Sequence, residues 1–577
     1  MDPPHHRHWI HCDFEHIAPH VQRSQETGGL SPVPTESHVG TPNCLLRGIP
    51  AQSGWEDVTP NTGQRSSSAA PAVRTWGHPR RVTPDCDNAD ADTARSAIVP
   101  RIRVLTSHHG MSQIVPEKAD TAPVAALHDL PRVLGASQAT AIVVGTIIGS
   151  GIFLVPREMM QDVGSSALVY LAWIVGGLLS LFGAMTYAEL GAMMPYAGGE
   201  YVYLRGAYGD TTAFLYMWTW FAVAKPASIA AVTSGLARTL GVFPAFHWLG
   251  ASLPGLPLYW SQVFAIAVTW LITGLNYLGI KKAGDFQLVF TVLKGILILI
   301  VAALCFASAS GSWSNFSTSV PHALGGINGF MAALIATLWA YDGWNDLTMV
   351  AGEVRRPERS LPIALIGGLF IVGALFMATN AAIQYILPAA QIATSERPAV
   401  AALSVVAGPR GAGFVAAAMA LSIFVTLNGT VMSGARIPFA AARDGLFFRR
   451  FAHIHPRFQS PSTSLLVQGL LATVLLLFLS QFQQHFELAV FAEWLFYMLT
   501  ATTIFVYRRR HPEMPRPYRL WGYPVLPAIF VVCAAAVLVS SYSSNLKGSL
   551  IGTALILLGL PVLWWLRKIY PPAHTAR

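Results

Sequence analysis

From Pro131 onward the chain alternates long apolar stretches with short polar ones. Twelve apolar stretches lie near residues 134–160, 167–190, 211–240, 260–280, 286–307, 327–351, 361–387, 411–435, 462–481, 487–507, 524–543 and 548–566. A bilayer core asks for about 20 apolar residues per helix. Bare backbone polar groups are not tolerated in lipid, so the pattern predicts an all-α membrane protein of 12 transmembrane helices. Lys and Arg collect in every second connection. One side carries Arg205, Lys281, Lys282, Arg355, Arg356, Arg359, Arg443, Arg449, Arg450, Arg457, Arg508 to Arg510, Arg516, Arg519, Arg567 and Lys568. The other has only Arg157, Arg238, Arg397, Arg410 and Lys547. The rich side is expected to be cytoplasmic, with both termini on it, in a cell (inner) membrane.

Two stretches interrupt their own helices. Between Arg132 and Arg157 no residue is charged, yet the middle reads Ile147-Ile148-Gly149-Ser150-Gly151-Ile152-Phe153. Glycine favours unwinding there. A break exposes N–H groups at the start of a second half-helix, whose positive end attracts an anion, and a carboxylate is the natural guest. Close helix crossing through small residues is the competing explanation. The sixth stretch reads Trp339-Ala340-Tyr341-Asp342-Gly343-Trp344-Asn345 at its middle, and an unwound end there presents carbonyls that attract a cation. Paired breaks in corresponding helices of two five-helix halves point to a carrier built on inverted repeats. A free α-amino acid offers both charges a few ångströms apart.

Composition fits this picture. Of 577 residues 53% are hydrophobic and 12% charged, with mean hydropathy +0.46; a soluble protein carries about 25% charged residues. The net charge of +9 is accounted for by the loop arginines, so nucleic-acid binding is not needed. Residues 1–110 change character: rich in His, Pro, Arg, Ser and Asp, without helical or strand period, they are expected to be a disordered tail, with Met111 a candidate true start. Residues 111–132 read as a polar lead-in, and 133–570 as one transmembrane domain. The cluster His5, His6, His8, His11, Cys12 and His16 reads as solvated tail rather than a metal site, and the five cysteines show neither a disulfide framework nor zinc spacing. No cofactor or metal is expected. HExxH, GxSxG and P-loop patterns are missing, which disfavours an enzyme.

Five motifs in order carry a resemblance: Gly145 to Phe153; Tyr187 to Gly191 with Gly198 to Tyr201; Trp339 to Asn345; Ser433 to Arg436 with Ala442 to Gly445; and Arg516 to Arg519 with Gly522 to Pro524. Over Pro131 to Arg567 the chain resembles the amino acid–polyamine–organocation superfamily, close to its L-type amino acid transporter branch and bacterial relatives. The resemblance implies a LeuT-like 5+5 inverted repeat with broken helices 1 and 6. It implies that Gly149, Ser150 and Gly151 hold a substrate carboxylate, and that the carbonyls of Ile147, Trp339, Ala340 and Asp342 receive its ammonium. Trp339 stands where the family places an aromatic gate, and Ser228, Val232 and Asn345 where it lines the side-chain pocket. Animal relatives pair with a heavy subunit through a cysteine between helices three and four. That loop, 241–260, has no cysteine here, so no disulfide-linked partner is expected.

Charges inside the spans add detail. Lys294 lies in the fifth helix, where a lysine costs about 2.5–3.5 kcal/mol on insertion scales. The resemblance implies that it stands in for the sodium ion of related carriers and hydrogen-bonds carbonyls near Gly145 to Gly149, as a brace or as a carrier of a coupling proton; snorkelling is the alternative. Lys225, before Pro226, is expected to cap a carbonyl freed by the proline. Asp342 either reads the charge of a basic substrate or caps the second half-helix. Glu189, Glu200 and Glu353 are expected to pair with Arg205, Arg355 and Arg356 at helix ends. The function expected is sodium-independent secondary transport of amino acids by alternating access, as exchanger or proton symporter. The alternatives are a membrane-embedded amino acid sensor and a carrier preferring cationic amino acids or polyamines.

Overall fold

The structure, a computed structural model, describes residues 130–569 except Ser150, Val242, His322, 479–481 and Asn545, and the side chains of 482–492 and Ser544. The N-terminal tail with its His cluster, Met111 and Ser150 lie outside the described residues. Among these residues the fold is all-helical, with only isolated β-bridges.

The first apolar stretch folds as two helices, α1 (Ala136–Ile147) and α2 (Gly151–Val163), that meet at 42°. After α3 (Ser166–Met193), α4 (Glu200–Tyr208) precedes the third stretch, which is built from α5 (Asp210–Thr219), a π turn at Trp220–Ala224 and α6 (Lys225–Leu240). Pro226 has no N–H to give to the carbonyl one turn back, and the helix accommodates it by widening, with the Lys225 N–H donating to the Trp220 carbonyl. The fourth and fifth stretches are α7 (Trp260–Tyr277) and α8 (Ile280–Phe306). The sixth is again split, into α9 (Gly326–Ala340) and the short α10 (Asp346–Met349). Then come α11 (Pro357–Ile386), α12 (Ala389–Thr394), α13 (Pro398–Gly434) and α14 (Arg436–Arg443). Within α13 the backbone leaves helical angles at Ala407 and Gly408, just before Pro409, which disfavours helix in the residue preceding it. The chain ends in α15 (Ser462–Phe478), α16 (Phe482–Arg510), α17 (Val525–Ser544), α18 (Leu546–Leu557) and α19 (Gly559–Ile569).

Among the described residues six helical segments are long and apolar enough to cross a membrane unaided, and the α1–α2 pair, taken as one span, makes a seventh. The other expected stretches fall on helices that are shorter, interrupted or more polar. The broken elements sit inside: α1 packs on α8, α11 and α13, and α2 on α9. Gly145 shows how close these contacts are, since a Cβ there would lie 2.2 Å from Gln287 Nε2 and 2.5 Å from Thr291 Oγ1.

Candidate substrate site

Side chains from two other helices donate to the carbonyls that the first break exposes. Lys294 on α8 donates to the carbonyls of Gly145 and Ile148, both at 2.7 Å. On α13, Ser422 donates to the Ile148 carbonyl at 2.7 Å. Thr426 lies 3.1 Å from the Gly145 carbonyl and 3.3 Å from that of Ile148. Lys294 is buried and points at the break, so it does not snorkel. Gly149 turns its own N–H back to the Ile147 carbonyl at 2.8 Å, which corrects the expectation that Gly149 offers a free donor. Gly151 opens α2, and the first N–H groups of a helix have no partner within it. A Cβ on Gly151 would lie 3.3 Å from Ala340 Cα, so the start of α2 abuts the end of α9.

The second break turns at Gly343 with φ +105°, a conformation L-residues avoid. Its carbonyl accepts the Thr146 hydroxyl at 2.8 Å, so the two breaks touch directly. Residues 341–345 are not helical, and the position preceding α10 is Asn345. Asp342 therefore does not cap α10. Its carboxylate accepts the Tyr497 hydroxyl at 2.8 Å.

The breaks face one cavity of ≈ 160 Å³. Ile147, Gly149, Gly151, Trp339, Ala340 and Asp342 line it, as do the pocket candidates Ser228, Val232 and Asn345. Asn345 also ties the wall to α4, donating to Glu200 at 3.1 Å. Residues absent from the sequence reading complete the wall: Thr426 and Thr430 on α13, Glu493 and Tyr497 on α16, and Asp346. A signal for them was present. Ser422, Thr426 and Thr430 recur every four residues along one face of their helix, and Glu493 and Tyr497 share the same spacing on theirs.

Several charge partners differ from expectation. The Lys225 ammonium does not cap a carbonyl near Pro226; it forms a buried ion pair with Asp346 in the cavity wall. The π turn has already absorbed the proline, leaving the ammonium free to find a carboxylate. Glu353 does not pair with Arg355 or Arg356 but with Arg436 (Nε to Oε1 2.8 Å), both side chains fully buried. Glu189 accepts from Arg508 at 2.6 and 2.9 Å rather than from Arg205. Arg205 pairs instead with Asp210 and Asp444. Glu200 has no arginine among its partners here: Tyr187 donates to it at 3.0 Å, and Tyr216 and Asn345 also donate. In low dielectric a short-range partner on a neighbouring helix outweighs a nearby but solvent-facing arginine. A second, wider cavity of ≈ 1110 Å³ opens among these groups, between Arg132, Arg205, Arg443, Asp444 and His511.

Comparison with known proteins agrees with this geometry. Residues 134–565 match the family described as amino acid permease. The chain is 34% identical to the serine/threonine exchanger SteT of Bacillus subtilis over 442 residues, which is 76% of this chain and 98% of that protein. It is 30% identical to the human b(0,+)-type amino acid transporter 1 over 414 residues (71% of this chain, 82% of that protein). The human cystine/glutamate transporter is also 30% identical, over 438 residues (75% and 85%). Split helices that meet at a small cavity, helical segments apolar enough to cross a membrane and these likenesses lead to one assignment: the chain belongs to the amino acid permease family, as a multi-pass membrane carrier and not an enzyme.

Proposed function

We propose that this protein carries free amino acids across the cytoplasmic membrane by alternating access, without sodium. In this reading the twelve apolar stretches all span the bilayer as a LeuT-like 5+5 inverted repeat, with α1–α2 and α9–α10 as the corresponding broken helices and both termini cytoplasmic. The substrate carboxylate sits at the start of α2, on the N–H groups around Gly151 and Ser150. The α-ammonium meets the carbonyls at the end of α9, with Ile147 opposite. Trp339 covers the substrate, and Ser228, Val232 and Asn345 flank its side chain. No disulfide-linked subunit is required.

One observation carries this reading: two helix ends of opposite polarity, joined by the Thr146–Gly343 hydrogen bond, face the same ≈ 160 Å³ cavity. Each end alone would suit any ion. Together they favour a small zwitterion, because the dipoles of α2 and α9 stabilise a negative and a positive group a few ångströms apart. Lys294 supports the sodium-free reading. Its ammonium already holds the carbonyls that a bound cation would otherwise coordinate.

The test is counterflow uptake by the full chain in liposomes, taking the twenty common amino acids one at a time. Uptake of at least one, stimulated by the same amino acid inside, is expected. Binding without uptake of any of them would make the protein a sensor and end the proposal.

A further inference from the structure

Among the described residues, four charged side chains line the cavity: Lys225, Asp342, Asp346 and Glu493. Lys225 is the cation of the four. It stands where the π turn hands over to α6, and Asp346 opens α10. The two form an ion pair across the wall, with 7% and 3% of their side chains exposed. The lysine has little room to turn away. Its stem passes Gly434 at the end of α13, where a Cβ would lie 3.0 Å from Lys225 Cγ. Packing thus delivers the ammonium to the cavity wall, and one carboxylate neutralises it there.

A charge lining a small cavity reads the charge of what enters. A buried ammonium stripped of its partner is costly, so it takes whatever anion can reach it. A paired ammonium has no such need. Asp342 and Glu493 bring no positive charge of their own. We propose that Asp346 is a specificity-determining residue: by holding Lys225, it keeps amino acids with acidic side chains out of the cavity. This rests on the carrier reading above and deepens it by naming a substrate class that the carrier rejects and the residue that rejects it. Uncharged side chains meet the pair as a neutral dipole. With the Asp346 carboxylate removed, the Lys225 ammonium faces the cavity without a counter-charge, and the side-chain carboxylate of glutamate or aspartate supplies one. Selectivity here comes from withholding an attraction rather than from building a clash.

The pair also ties α6 to α10, and a tie alone would leave substrate charge unread. Two variants separate these roles. Asp346→Asn keeps the shape of the residue and removes its charge. Asp346→Asn combined with Lys225→Met removes both charges and keeps a long stem against Gly434. A gain of acidic substrates caused by a looser wall appears in both variants, whereas a gain caused by the freed ammonium appears only in the first.

The test is counterflow by the full chain in liposomes, with L-glutamate and L-aspartate as acidic probes. The reference is the amino acid that wild type carries fastest among the common twenty. Wild type is expected to carry neither acidic probe efficiently. In Asp346→Asn, uptake of an acidic probe relative to the reference is expected to rise about tenfold or more, the low end of discrimination by a single contact. In the double variant it is expected to fall back. Melting in detergent with and without L-glutamate reads binding where transport is slow: L-glutamate is expected to raise the Tm of Asp346→Asn and not that of the double variant. Three results overturn the proposal while leaving the carrier reading intact: efficient uptake of either acidic probe by wild type, an Asp346→Asn variant that neither carries L-glutamate nor is stabilised by it, and an acidic gain that persists in the double variant. Absence of wild-type counterflow for every amino acid overturns the carrier reading itself.

Discussion

Replacing Lys294 with methionine separates bracing from folding. The ammonium makes two bonds of 2.7 Å, to Gly145 and Ile148. Charge-assisted bonds contribute about 1.5–3 kcal/mol each, so the gross loss is about 3–6 kcal/mol. Two effects reduce it. Neither carbonyl is orphaned, because Thr426 still reaches Gly145 and Ser422 still reaches Ile148. Removing a buried charge also recovers its desolvation cost, several kcal/mol in proteins. The net destabilisation is then at most about 3 kcal/mol, which at about 2–4 °C per kcal/mol keeps the drop in Tm under about 12 °C. Transport should suffer more. Lys294 is the group that ties both ends of the 145–148 segment to α8, and a shift of about 1.4 kcal/mol away from the productive geometry slows uptake about tenfold. The assay is tryptophan-fluorescence melting in detergent alongside counterflow in liposomes. Wild-type uptake by Lys294→Met would refute the brace, and a collapse of Tm by more than about 20 °C would refute the energetic reasoning.

Further expectations concern the other contacts. Glu353→Gln leaves the fully buried Arg436 without its carboxylate. It should cost about 3–5 kcal/mol, whereas Glu353→Leu combined with Arg436→Met should recover most of that; a double variant no more stable to heat than the single one would contradict this. Gly343→Ala forces a side chain into φ +105° with a Cβ 3.3 Å from Thr146, and should cost about 1–3 kcal/mol and sharply reduce counterflow. Wild-type melting and uptake by that variant would count against the strained turn. Replacing sodium chloride with choline chloride should leave initial uptake rates unchanged, because Lys294 occupies the carbonyls at the first break; a fall of tenfold or more would point to a sodium site.

Much of the architecture was legible along the chain because lipid imposes a local rule. Apolar runs of bilayer length, interrupted by glycine at Gly149–Gly151 and by Asp342–Gly343, appear as split helices at those places. The backbone itself carries the information, since glycine and the residue before a proline bias φ and ψ without reference to distant neighbours. That Lys294 needs a partner was legible too, because a lysine in an apolar helix is costly alone; that the partner lies at the first break followed from the family resemblance.

Which partner each charge takes was not legible. Lys225 meets Asp346 across 121 residues, Glu353 meets Arg436 across 83 and Glu189 meets Arg508 across 319. Asp342 meets Tyr497 only because α16 packs beside the second break. Adjacent arginines in the chain suggested different pairs, and folding overrode them. Inside a low-dielectric bundle an ion pair depends on distance in space and on exclusion of water, and neither is a property of sequence separation. The chain thus determined by itself where its helices run and where they break; tertiary packing alone decided which side chains close the cavity between the breaks.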